Sequence, residues 1–324
     1  MIKRPSEDIL RCLAIAVLAA GCVYFSFLSV SESLDSDFAG YAGWFGNLAP
    51  YDWSSCDGFE PIYCLVGSVY QDFELPFEYF AFSTSLAIYA LLHLVVSRVY
   101  REKGLTGLTA LLCTCFLLYI VFPPEMVSHL IRQYLAIGLI LLALASAGKS
   151  RLLFTLLALG FHFTAIVFLP FILIAYLKLS RIHILIFGIA SLSLAFIFSS
   201  LIYSILKDFS SDHIDAVLPG GVIYDLLYKV QLYFDGGETR VSRLKLSLLL
   251  IAAGYAVARP PDLYSNISIL CFVVTLSFML FSISTSSIMF ERFYQYGKAL
   301  AFFVGLLFLS DVARFRRLLI ERVR

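Results

Sequence analysis

RLLFTLLALGFHFTAIVFLPFILIAYL, residues 151–177, decides how this chain is threaded. It is apolar almost throughout. A helix crosses the roughly 30 Å hydrocarbon core of a bilayer with about 20 residues. The stretch is long for one upright span and too short for two complete ones. Gly160 and Pro170 mark a break, and His162 sits between them. Charge decides between the two threadings, because Lys and Arg favour cytoplasmic loops. Lys3, Arg4 and Arg11 place the N-terminus inside. The loop with Arg98, Arg101 and Lys103 then falls inside, as does the turn with Lys149 and Arg151. A single span over 151–177 would put Lys178, Arg181 and the tail arginines Arg314, Arg316, Arg317, Arg322 and Arg324 outside. A hairpin of two short helices returns them, with Arg259, to the cytoplasm. The expected element is a re-entrant helical hairpin with His162 near its outer turn. Broken backbone at membrane depth is tolerated only where protein buries it or a wet cavity lines it.

The rest of the chain agrees with a membrane setting. Of 324 residues, 60% are hydrophobic and only 15% charged, against about 25% charged in soluble domains. Mean hydropathy is +0.87. Candidate spans are 9–30, 76–97, 105–122, 131–147, 182–206, 244–258, 264–285 and 296–312. With the hairpin, this makes an all-α polytopic protein of about ten membrane segments. It forms a single transmembrane domain over 1–324, with both termini cytoplasmic. Two loops fall outside. Loop 31–75 is acidic and aromatic and carries a short re-entrant or interfacial helix. Loop 207–243 contains an amphipathic helix between Val222 and Phe234, flanked by Gly220-Gly221 and Gly236-Gly237. Nothing points to a soluble domain, a coiled coil, an internal repeat or a nucleic-acid partner. No Cys/His set has metal-ligand spacing. Cys12, Cys22, Cys113, Cys115 and Cys271 read as packing residues. Cys56 and Cys64 can pair if their loop faces an oxidising compartment.

Ionisable side chains at membrane depth are expensive and mark candidate sites. Arg132 lies one turn into an otherwise apolar span; its bland reading is an arginine reaching for outer headgroups. His162 suits proton transfer, although a lone histidine among apolar residues is more often a satisfied core residue. Glu291, Arg292 and Tyr294 stand at the start of the last span, where an interfacial anchor is the alternative. Asp37 and Tyr41 lie one helical turn apart. Glu60 precedes Pro61 at the head of a short apolar stretch. An acid there suits a helix N-terminus, so Glu60 is either a cap or a group that binds sugar hydroxyls or accepts a proton. Arg240 and Arg243 are loop charges with phosphate binding as the sharper alternative.

In order along the chain, these segments resemble the EpsG and Wzy-type polysaccharide polymerases of bacterial surface-glycan pathways. The likeness runs through Asp37 and Tyr41, Glu60-Pro61, Arg132-x-x-x-Ala136, Phe161-His162-x-Thr164-Ala165 and Arg292-x-Tyr294. Thr164 stands where a serine is more usual. The resemblance implies a glycosyltransferase of the inner membrane. Such enzymes join oligosaccharide repeat units carried on undecaprenyl pyrophosphate, at the periplasmic face, into O-antigen, capsule or exopolysaccharide. Donor and acceptor are both lipid-linked glycans, and membrane lipid surrounds the site. No cofactor is expected, because the pyrophosphate already activates the donor. Whether a chain-length regulator binds stays open. On this reading Arg132 and Arg292 stabilise the departing pyrophosphate. His162 is the first choice as base, with Glu60 or Asp37 as alternatives. Tyr41, Trp44 and Trp53 offer faces for sugar rings.

Three other functions use similar residues. An O-antigen ligase would share the donor and differ only in acceptor. A membrane O-acyltransferase commonly takes its acyl donor from the cytoplasmic side, opposite to the expected position of His162. A transporter of lipid-linked glycan often shows two related halves, and none are evident.

Overall fold

The computed structural model describes residues 5–31, 36–49, 53–56, 60–102, 118–119, 121–146, 148–169, 172, 180–191, 193, 243–260, 262–283 and 287–323. Every element among them is helical. Two described helices are long and apolar enough to cross a membrane, over Phe77–Tyr100 and Phe290–Val312. Shorter apolar helices cover Ala16–Val30, Ile131–Leu144, Arg181–Ser191, Leu246–Ala258 and Tyr264–Leu280. The expected span over 105–122 falls almost wholly outside the described residues. The second half of span 182–206 and the whole amphipathic segment lie outside them too.

The chain forms two compact units, Met1–Leu169 with Gly305–Arg324, and Pro170–Val304. The first begins with α1, Pro5–Ser31, and α2, Ser36–Asn47. A short 3-10 helix, Trp53–Cys56, leads to α3, Pro61–Asp72. Proline at the first helical position gives up no needed N–H. At 12 residues, α3 is about 18 Å long and cannot span. Helix α4, Phe77–Glu102, follows. Then come α5, Pro124–His129, α6, Ile131–Leu144, and α7, Lys149–Phe161.

Helix α6 is the centre of this unit. Ile131 and every residue from Gln133 to Leu144 are buried, while Arg132 is not. A helix that is apolar all round belongs inside. Gly138 lets α4 come close: a Cβ there would stand 3.2 Å from that of Leu91. Helices α6 and α7 form a tight antiparallel pair, joined through Gly148 at φ +60, a backbone region that favours glycine. Arg151 seals the turn. It is only 1% exposed, donates from Nε to the Ala143 carbonyl at 3.2 Å and from Nη2 to that of Ser146 at 2.5 Å. The Ala143 carbonyl lies in the last turn of α6, where it also accepts the Ser146 N–H at 3.1 Å, and the Ser146 carbonyl lies just beyond the helix end. Arg98 of α4 donates to the Ser146 hydroxyl. Elsewhere, α1 is tied to α4 by Cys22 Sγ, 3.3 Å from His93 Nδ1. Phe25 stacks on Tyr119 at 3.9 Å.

The expected break in 151–177 falls at His162. Its N–H donates to the Ala158 carbonyl at 2.9 Å, and its own backbone is extended, with φ −158 and ψ 120. The second arm begins as a 3-10 helix, Phe163–Phe168, rather than an α-helix.

The second unit contains α8, Arg181–Ser191, α9, Arg243–Ala258, and α10, Leu263–Ile283. It also holds the first half of α11, Ser287–Val323. Here too an arginine closes a helix end. Arg181 donates to the carbonyls of Ala256, at 2.5 Å, and Arg259. Arg259 pairs with Asp262 at 2.6 Å.

Candidate functional site

The antiparallel pairing of α6 and α7 sets the start of one helix beside the end of the other. Arg132 lies at the first, and the turn Phe161–Phe163 at the second. Helix α3 packs on α7 and brings Glu60 to the same place. Gly160 makes this possible, since α3 presents Ile62 where a Cβ at 160 would begin.

Glu60 occupies the N-cap position of α3, with φ −67 and ψ 144, but its side chain makes no cap hydrogen bond. The carboxylate reaches outward instead. Oε2 forms an ion pair with Nη1 of Arg132, and Oε1 accepts the backbone N–H of Phe163 at 3.1 Å. His162 Nδ1 stands 3.9 Å from Oε1. Three segments far apart in sequence therefore meet at one carboxylate. The side chains are 20% exposed for Arg132, 13% for Glu60 and 7% for His162. Charge-assisted contacts are strong in such settings, and either charge alone would be poorly solvated.

Aromatic rings flank the pair. The Arg132 guanidinium lies 5.6 Å from the ring centre of Tyr41 and 5.9 Å from that of Tyr63, within cation–π range. Burial pushes the Tyr63 phenol well above its usual range, so this neighbour stays neutral. Trp44 stacks on Tyr63 at 5.2 Å and donates from Nε1 to the Cys56 carbonyl at 3.3 Å. Tyr41 and Trp44 are both buried. Tyr41 lies against the guanidinium and Trp44 packs behind Tyr63, so neither ring is an open platform for a sugar. Cys56 and Cys64 form a disulfide, and the loop it closes contains Glu60.

The remaining expected residues are placed as follows. Asp37 lies in α2, one turn before Tyr41, and its side chain is outside the described set. Glu291, Arg292 and Tyr294 lie near the start of α11, in the second unit. Glu291 is exposed; Arg292 and Tyr294 are half-buried. Arg243 begins α9, its side chain also outside the described set, and Arg240 falls outside the described residues. Among the described residues no group of three or more His, Cys, Asp and Glu is arranged to hold a metal ion.

Sequence reasoning missed Tyr63, the Phe163 amide, Thr164 as a partner of His162, and Gly160 as the seat of Ile62. Tyr63 follows Glu60 by three residues, one turn along α3. That spacing could have flagged it.

Compared with known proteins, residues 15–320 match the family model described as EpsG family. No curated protein and no solved structure matches the chain.

Proposed function

We propose, on the premise that this chain belongs to the EpsG family, that it joins lipid-pyrophosphate-linked oligosaccharide repeat units into a surface polysaccharide. The family makes it a membrane protein of polysaccharide-polymerase type. The finer reading rests on one observation: Arg132, Glu60 and His162 meet at one end of the α6–α7 pair, partly shielded from solvent.

The reaction has a definite demand. An acceptor hydroxyl oxygen attacks the anomeric carbon of the donor chain. The bond from that carbon to the pyrophosphate oxygen breaks, and its electron pair leaves on the lipid pyrophosphate. The hydroxyl proton must pass to a base. Arg132 supplies a fixed positive charge where the pyrophosphate departs. Glu60 and His162 are the described candidates for proton handling, with Asp37 on the neighbouring helix as the third. Arg292 and Tyr294, which lie in the second unit, are proposed as contacts to a glycan carrier in their own right.

The site is proposed to face the periplasm of an inner-membrane protein. The disulfide beside Glu60 suits an oxidising compartment. Arg98, Lys149 and Arg151 gather at the opposite end of α6 and α7, as cytoplasmic ends do. Undecaprenyl pyrophosphate is the proposed carrier.

In cells lacking the wild-type gene, Arg132→Ala and His162→Ala should stay in the membrane yet yield only single repeat units on the lipid anchor. A normal ladder of glycan lengths from both variants would end this reading.

A further inference from the structure

The role of His162 in the polymerase reading depends on which ring nitrogen holds a proton. The backbone N–H of Thr164 is directed at His162 Nδ1 over 3.2 Å. An amide N–H can only donate, so Nδ1 turns its lone pair toward it. The Thr164 hydroxyl oxygen is 2.9 Å from the same nitrogen, and a hydroxyl hydrogen rotates to suit its partner. A neutral imidazole has one N–H and one lone pair. With the lone pair at Nδ1, the proton is at Nε2.

Backbone geometry holds this state. His162 closes α7 through its own N–H and caps the first turn of the 3-10 helix Phe163–Phe168 through its ring. The facing acid does not compete for a proton on Nδ1. Glu60 Oε1 is 3.9 Å away, beyond hydrogen-bond distance, and already accepts the Phe163 N–H.

We infer that the turn His162–Thr164 locks the imidazole as its Nε2–H tautomer, so that His162 serves the transfer as a hydrogen-bond donor rather than as its base, with Thr164 as a positioning residue. The inference rests on the polymerase reading for the reaction and on the turn alone for the tautomer. A base needs a lone pair to receive the hydroxyl proton, and the one on this ring is committed to Thr164. The proton passes instead to Glu60, whose carboxylate has about four lone-pair sites. Contacts to Arg132 and Phe163 leave room for it. The Nε2–H then stabilises a negative oxygen of the departing pyrophosphate.

Two substitutions separate the roles of the two nitrogens. His162→Asn keeps an acceptor near Nδ1 and so keeps the cap, but has no distal donor. His162→Gln places an amide N–H near Nε2. Read as glycan chain extension in cells, Asn should lose about 100- to 1000-fold, the usual effect of removing one oxyanion donor. Gln should retain at least about tenfold more activity than Asn. An active Asn variant with an inactive Gln variant would reduce His162 to a cap. Two equally inactive variants would restore the imidazole as base. Either result overturns the inference. Nitrogen-15 NMR of histidine-labelled protein, with the His162 signals assigned by their loss in His162→Gln, reads the tautomer without turnover. Nδ1 should resonate as an unprotonated nitrogen and Nε2 as an N–H; a proton on Nδ1 overturns the inference. Thr164→Pro removes the amide donor and should move both signals toward averaged values. Unchanged signals would remove Thr164 from the argument. If the wild-type protein extends no chains, the polymerase reading fails while the tautomer remains testable.

Discussion

Ile62 of α3 packs onto Gly160 of α7 in the space where a side chain would start. A Cβ at 160 would overlap the tip of Ile62 and come within 3.1 Å of its Cβ. Two residues before Ile62 is Glu60; three after Gly160 is the Phe163 amide that Glu60 accepts. The close approach of the two helices therefore sets the reach of the carboxylate. Gly160→Ala should destabilise the protein by about 1–3 kcal/mol through overpacking and weaken chain extension. Adding Ile62→Ala should recover part of the loss, because residues in contact are not additive. Unfolding midpoints of the detergent-solubilised single and double variants test this. Strict additivity would mean the contact is not what seats α3.

Arg132→Lys should behave like a loss of function. An ammonium keeps the charge but cannot present a flat fork to Glu60 while lying over Tyr41 and Tyr63. Chain extension should fall to near the level of Arg132→Ala, with the protein still in the membrane. A lysine variant with wild-type glycan lengths would show that charge alone is needed there.

The disulfide should be detectable and useful. Alkylation without reductant should leave Cys56 and Cys64 unmodified, and reduction should add two labels. Closing so short a loop contributes about 2–3 kcal/mol in the chain-entropy picture. Cys56→Ala with Cys64→Ala should lower the unfolding midpoint and reduce chain extension, since the closed loop carries Glu60. Labelling of both thiols before reduction would place the loop in a reducing compartment and count against the proposed topology.

Phe163→Cys offers a direct test of which side the site faces. Phe163 is 57% exposed and adjoins His162. In a background without other reactive thiols, a membrane-impermeant maleimide should label it from the periplasmic side of intact cells. Labelling only after the inner membrane is opened would invert the proposed orientation.

Much of this arrangement was legible in the sequence, and the illegible part has a physical reason. Hydropathy and charge placement identified a helical membrane protein, and the order of short motifs identified its family. The break near His162 was legible because Gly160 and Pro170 disfavour a continuous helix. Glu60 was ambiguous between a cap and a polar site, because both begin with an acid before Pro61. Only in the folded chain is its side chain seen to turn away from the helix end. Arg151 read as one more cytoplasmic charge, yet it is buried and closes α6. A positive charge favours a helix C-terminus and a cytoplasmic loop alike, so composition does not separate the two. Helical periodicity says that a residue faces something, not that its partner lies dozens of residues away.

The regular helices around the site are short. With 14 and 13 residues, α6 and α7 are about 21 and 20 Å long, against roughly 30 Å of hydrocarbon. Such a mismatch is relieved by local thinning of the bilayer or by polar groups standing below the headgroups. The lipid tails themselves then help set how deep a carrier's phosphates must sink to meet Arg132. In vesicles of graded acyl length, turnover should rise as the bilayer becomes thinner and fall in thick, sterol-like membranes.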